Sequence, residues 1–292
     1  MTVKWNTWLR TGVMAVAMLT AAAWAAAQYP PAPTGQNQPP AASPDKSQAP
    51  ANNSITLDNP SAPPVNAEED AAYKALADAP ATDQTKRIEL GEAFLQKYSA
   101  SRYRANVYMV LTMAYLQTGE VEKMEVVADK ELALNPNDVQ VLAILAQTLP
   151  RAISAKTPEP EKQLAKAEQY SRKAIELTPT YPKPPNVTDE SFSLVKNQTL
   201  AMAHGGLGLV YIRRGQYKEA IPELNQSVTV DPNPDPVNYY LLGMAEAKTS
   251  HFDDSVAAYN KCAAIINPLQ ETCKKSAEET KKLAGTQLSA PK

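Results

Sequence analysis

A block of residues recurs along the second half of this chain, and its period limits the fold more than any other feature. From Ala201 to Pro234 it reads Leu207-Gly208-x-x-Tyr211, Gly215-x-Tyr217-x-x-Ala220, Leu224, Ser227 and Asp231-Pro232. After one further residue a second block starts at Pro236, with Tyr239, Leu242-Gly243, Phe252, Ser255, Tyr259 and Cys262, and closes at Asn267-Pro268. Apolar residues three and four apart mark amphipathic helices. The internal Gly stops the first helix, and the Asn-Pro or Asp-Pro pair ends the second. A period of thirty-odd residues made of two short helices predicts stacked units that share one continuous core.

The same design extends upstream. A unit over 105–138 carries Tyr108, Leu111, Tyr115, Gly119, Ala128 and Asn135-Pro136, with Met124 where the other units place a small residue. An interrupted unit occupies 139–179. Its first helix is expected from about Asp138 to Ile153 with Leu142 and Ala146 packing, and its second from Glu161 to Leu177 with Leu164, Ala167, Ser171 and Ala174. Residues 180–200 read as an insert containing Pro182, Pro184 and Pro185, followed by an extension of the next helix with Phe192 and Val195 on its apolar side. The units 201–234 and 236–268 follow. A helix pair at 67–104 precedes the repeats, expected as Ala67–Ala79 and Thr82–Tyr98. A capping helix at 268–284 follows them, with Asn267 as N-cap, Pro268 in the first helical position, and Leu269, Cys273, Ala277 and Thr280 on one side. Residues 285–292 are expected to be a disordered tail.

These motifs resemble the tetratricopeptide repeat family. Small residues such as Gly208 and Ala220 stand where that family lets two helices cross closely. The resemblance covers about 105–268 in unit-like form. It implies an all-α chain, a right-handed α-α superhelix over 67–284, no catalysis, no cofactor, and a protein or peptide partner in the concave groove lined by the first helix of each unit. Carried onto this sequence, the partner-facing positions are Asn106, Met109, Met113 and Gln117; Gln140, Ala143 and Gln147; Met202, Leu209 and Arg213; and Val237, Tyr240, Met244 and Lys248. Thioethers suit adaptable apolar contacts, and Arg213 and Lys248 suit a carboxylate. The alternative is that the Met residues fill gaps between helices. Met109 and Met113 hold the places that Lys and Asn take in a chaperone-type carboxylate clamp, so a chaperone tail is not the expected partner.

The N-terminus reads as an export signal. Lys4 and Arg10 precede an apolar stretch that ends in Ala25-Ala26-Ala27, and no acidic residue occurs before Asp45. A positive start, a short apolar run and small residues at a cleavage site mark a secretory signal over 1–27, and imply a periplasmic or secreted protein of bacterial type. The other reading is an uncleaved membrane anchor, since the run is about 17 residues long, at the lower limit for spanning a bilayer. No Cys lies near the cleavage site to make a lipoprotein. Residues 28–66 hold ten Pro and three charged residues. Such a stretch cannot bury enough apolar surface to offset its ordering entropy, so a disordered linker is expected.

Composition narrows the partners. Setting aside Lys4 and Arg10, 27 of the 29 basic residues face 31 acidic ones, which leaves no basic footprint for nucleic acid. His204 and His251 are the only histidines, too few for a metal site of ordinary ligand sets. His204-Gly205-Gly206 superficially resembles the oxyanion loop of esterases, but no Gly-x-Ser-x-Gly elbow exists to supply a nucleophile. Gly208 reads as a packing residue, and Gly205 is expected to open the concave surface. Cys262 and Cys273 lie on helices that the Asn267-Pro268 turn folds together. A structural disulfide between them is expected, with two free buried thiols or a redox site as the alternatives. The function expected is a non-catalytic interaction scaffold outside the cytoplasm, with an envelope small-molecule or glycan binder using the same groove as the alternative.

Overall fold

The computed structural model describes residues 66–184 and 187–288. The expected signal at 1–27, the linker up to residue 65 and the last four residues lie outside the described residues. Among the described residues the regular structure is eleven α-helices and one 3-10 turn. The helices are α1 (Ala67–Asp78), α2 (Gln84–Lys97), α3 (Arg104–Thr118), α4 (Val121–Leu134), α5 (Val139–Ala152), α6 (Pro160–Leu177), α7 (Asp189–Arg213), α8 (Tyr217–Val230), α9 (Pro236–Lys248), α10 (Phe252–Ala264) and α11 (Gln270–Leu288). They form five hairpins and a final single helix, each packed on its predecessor. The result is an all-α solenoid.

Local chemistry sets the helix ends. Backbone N–H groups of the first turn need side-chain acceptors. Asn66 accepts from Glu68 N and Glu69 N at the start of α1, Asp138 from Gln140 N and Val141 N at α5, Thr188 from Ser191 N at α7, and Asp235 from Val237 N at α9. Gly119 (φ 75°) and Gly215 (φ 74°) turn the chain out of α3 and α7. That left-handed conformation costs Gly nothing sterically.

Three boundaries differ from expectation. The first hairpin's second helix starts at Gln84 because Asp83 caps it through Lys86 N. The final helix starts at Gln270, not Pro268. Asn267 is instead spent on the turn: its Nδ2 donates to the carbonyls of Cys262 and Ile265 at the end of α10, and its Oδ1 accepts from Leu269 N. The same helix runs through to Leu288, four residues past its expected end at 284. The extension of α7 from Asp189 packs Phe192 and Val195 with Val139, Leu177 and Tyr181, so the insert closes over the start of α5.

The tightest joint is between α5 and α7. Pro150 lies inside α5 and has no N–H, so the carbonyl of Ala146 loses its helical donor. The backbone of Gly206 approaches that carbonyl so closely that a Cβ there would sit 2.4 Å from the Ala146 oxygen. Gly205, beside it, would drive a Cβ to 2.7 Å from Asn238 Nδ2 of α9. Two adjacent glycines therefore let α7 take α5 on one side and α9 on the other. Gly205 is buried in this packing and does not open the concave surface, contrary to expectation. Asn238 Nδ2 donates to Ser227 Oγ, which donates to the Ala201 carbonyl, so α9, α8 and α7 share one buried chain of hydrogen bonds.

At the C-terminal end a disulfide joins Cys262 of α10 to Cys273 of α11, with both residues buried and their Cα atoms 5.9 Å apart. Among the α11 residues whose side chains are described, Cys273, Ala277 and Thr280 are the buried ones, a thin apolar hold for a helix of 19 residues. We expect Cys262→Ser with Cys273→Ser to lower unfolding free energy by about 2–3 kcal/mol through loss of the cross-link. Urea titration of the oxidised protein against the double variant measures it.

Candidate partner-binding face

The first helices of the hairpins are α1, α3, α5, α7 and α9, and the residues assigned to partner contact lie on the last four. The structure sorts them into three groups. Met109 is 2% exposed and Gln140 6% exposed; both are interior, so neither offers surface to a partner. Ala143, Leu209 and Val237 are buried as well. Asn106 is half-buried and donates to the Tyr73 hydroxyl at 2.9 Å, tying α3 to α1. It holds the first hairpin, together with the Tyr73–Tyr103 ring stack at 4.1 Å and the Tyr103 hydroxyl on Asp70. The residues that keep accessible surface are Met113, Gln117, Gln147, Met202, Arg213, Tyr240 and Met244, all half-buried, and Lys248, which is exposed.

These survivors do not form one apolar cluster. Met113 packs on the N-terminal core with Leu111 and Tyr115, Met202 on a small cluster with Leu142 and Ala203, and Tyr240 and Met244 on the C-terminal core with Leu241 and Ala245. Each Met thus has one side in a core and one side outward, so filling gaps and meeting a partner are compatible uses of the same side chain. Tyr240 also tilts against Tyr259 with centroids 5.7 Å apart, and burial pushes its phenol pKa upward.

Charge on this face centres on three cations, each in the last turn of its helix: Arg151 on α5, Arg213 on α7 and Lys248 on α9. Sequence reasoning named the last two and passed over Arg151, which holds the equivalent place in its unit; that shared register was the available signal. Arg151 is committed inward. Its side chain is 4% exposed and its Nη2 donates to Asp235 Oδ2 at 2.8 Å, while Asp235 Oδ1 caps α9. Burial pulls the Arg213 guanidinium pKa below its ordinary value. Lys248 stands in solvent.

The histidines are also accounted for. His204 Nδ1 lies 2.7 Å from Glu223 Oε2 across the α7–α8 hairpin, and His251 Nδ1 lies 2.8 Å from Glu246 Oε2 in the α9–α10 turn. No group of three or more His, Cys, Asp or Glu side chains among the described residues is arranged to hold a metal ion. No helix among them is long and apolar enough to cross a membrane.

Comparison with known proteins agrees with this geometry. Residues 203–234 match the family described as tetratricopeptide repeat; they span the α7–α8 hairpin from Ala203. No curated protein matches the sequence. Among solved structures, MamA from AMB-1 shares 18% identity over 65% of this chain and 94% of its own, with a TM-score of 0.46. A thermophilic TPR protein of Thermus thermophilus, TTC0263, shares 17% over 73% and 98%, with a TM-score of 0.47. MamA from MSR-1 shares 15% over 75% and 99%, also at 0.47. Overlaps this loose carry no functional weight, and the assignment stands on the matched unit and on the helix hairpins stacked around it. Residues 203–234 are thus similar to a tetratricopeptide repeat, set among stacked helix hairpins of an all-α solenoid.

Proposed function

We propose that this protein is a non-catalytic scaffold that holds a protein or peptide partner against the outward sides of Met113, Gln147, Met202, Tyr240 and Met244, with Arg213 and Lys248 meeting acidic groups on that partner. The observation that carries this reading is the half-burial of the thioethers. Each is fixed at its root in a core cluster and free at one side, a setting in which flexible sulfur side chains adapt to varied apolar contacts. Stacked-helix repeats bury their cores between units and leave an extended surface for binding. The export-type N-terminus and the buried Cys262–Cys273 bridge favour a periplasmic or secreted setting, because disulfides persist in oxidising compartments.

Charge reversal tests the face. We expect Arg213→Glu with Lys248→Glu to weaken partner capture from native envelope extract by about tenfold or more, as for loss of one or two charge-assisted contacts, while circular dichroism stays unchanged. An unaltered set of captured partners at unaltered affinity would remove these cations from the site.

A further inference from the structure

Four second helices bury one residue at a similar distance before the proline that ends their unit, five places for Glu131, Ala174 and Ser227 and six for Cys262. All four are fully buried. Three are small, as a helix crossing requires. The fourth is a carboxylic acid, set into the joint between α4 and α5.

Its surroundings do not answer a negative charge. Asn135 Nδ2 donates to Glu131 Oε1 at 2.8 Å, and Oε2 has no hydrogen-bond partner. Among the described residues no Lys, Arg or His forms an ion pair with Glu131. Lys173 of α6 approaches from one side but donates to the Pro136 carbonyl at 2.6 Å. Lys166, also on α6, pairs with Glu125 and Asp129. Lys130 lies over the Tyr108 ring. The groups that do bear on Glu131 are acidic or phenolic. Asp138 caps α5 and is 2% exposed. Tyr181 reaches in from the insert, where burial, then Asp138 and Glu131, push its phenol upward.

We propose that Glu131 is a proton-controlled latch on the α4–α5 joint: while protonated it lets the insert that carries Tyr181 close over the joint, and on ionising it loosens that insert and the start of α5. Burial first, then the Asp138 carboxylate, push the Glu131 carboxyl up to about 8. An unfolded chain releases the same proton near the ordinary 4.5. The folded state therefore holds the extra proton between these values. Stability from this group is greatest in acid, declines as pH rises through that window, and is flat above it. The ionised form must find water or open the joint, because a buried unpaired carboxylate is costly. The segment with most to lose is the one fastened over it, and the packing of Val139 with Tyr181, Phe192 and Val195 passes any loosening on to the extension of α7.

Hydrogen–deuterium exchange on the full chain tests this, corrected for intrinsic rates, at about pH 6.5 and about pH 9. The wild type is expected to lose protection at 135–141 and 176–192 by roughly tenfold at one pH unit above the Glu131 midpoint, with peptides of α9 and α10 unchanged. Glu131→Gln, which keeps the shape and the neutral state, is expected to hold protection at both values. No loss in the wild type, or the same loss in the Gln variant, overturns the latch. If Glu131→Gln fails to fold, carbon NMR titration of the Glu131 carboxyl in the wild type decides: a midpoint near 8 supports the latch and one near 4.5 overturns it.

Discussion

Replacing Asp235 by Ala is expected to lower the free energy of unfolding by about 3–5 kcal/mol, the cost of stranding a buried charge. Two roles end at once. Oδ1 no longer accepts Val237 N, a cap worth about 1 kcal/mol. Oδ2 no longer meets Arg151, whose guanidinium is 4% exposed and whose Nη1 already lacks a hydrogen-bond partner. The remaining charge cannot be shed, because a guanidinium does not deprotonate in this range. The reverse change costs less: Arg151→Met leaves Asp235 as a cap, with a quarter of its side chain in solvent. Adding Arg151→Met to Asp235→Ala should therefore recover about half or more of the loss, since removing both charges removes the stranding penalty. Guanidinium melts of the two single variants and the double variant give the cycle. Equal, additive losses would show that the pair does not couple α5 to α9.

Gly206→Ala is the second large effect, and its sign runs against helix propensity. In a helix interior Ala is better than Gly by about 1 kcal/mol. Here the added methyl would lie 2.4 Å from the Ala146 carbonyl oxygen and 2.6 Å from its carbon. The neighbour is backbone, so no rotamer change relieves the clash, and α5 must move off α7. Overpacking of this kind costs about 1–3 kcal/mol and occasionally more. With both helices rigid we expect a cost at the upper end of that range, and so a net loss of about 2 kcal/mol after the propensity gain. Gly285→Ala is the control. Nothing lies within 4 Å of a Cβ there, so the same change on α11 should be neutral or slightly stabilising. Thermal melts should place Gly206→Ala below wild type and Gly285→Ala at or above it, and a Gly206→Ala melt at or above wild type would contradict the close approach.

Much of the architecture was legible because each hairpin is a local event. Gly119 and Gly215 sit where the chain must take a left-handed turn, and Asp138 and Asp235 sit where first-turn N–H groups need an acceptor. Those needs are written in short stretches of sequence. The interior of the partner face was not legible in the same way. Periodicity says which side of α5 meets α6, but not how near α7 comes. That depends on Gly205-Gly206 and Pro150, more than fifty residues apart, acting on one joint. On the same helix α5, Gln140 and Ala143 are buried and Arg151 turns inward to Asp235. Met109 failed for a related reason: a Met on a first helix fits either a groove or a core, and the core of the first hairpins claimed it. Glu131 was hidden because charged residues on second helices usually face water. Its distance to Pro136, matched with Ser227 to Pro232, was the clue.

Site-specific photo-crosslinking in the native host tests most directly which surface the partner uses. A photoreactive residue at Met244 or Gln147 on the first-helix side should yield the same crosslinked species, and one at the exposed Val126 of α4 should yield none of it. Crosslinks from Val126, with silence at Met244 and Gln147, would place recognition on the opposite side of the solenoid and contradict the proposed function.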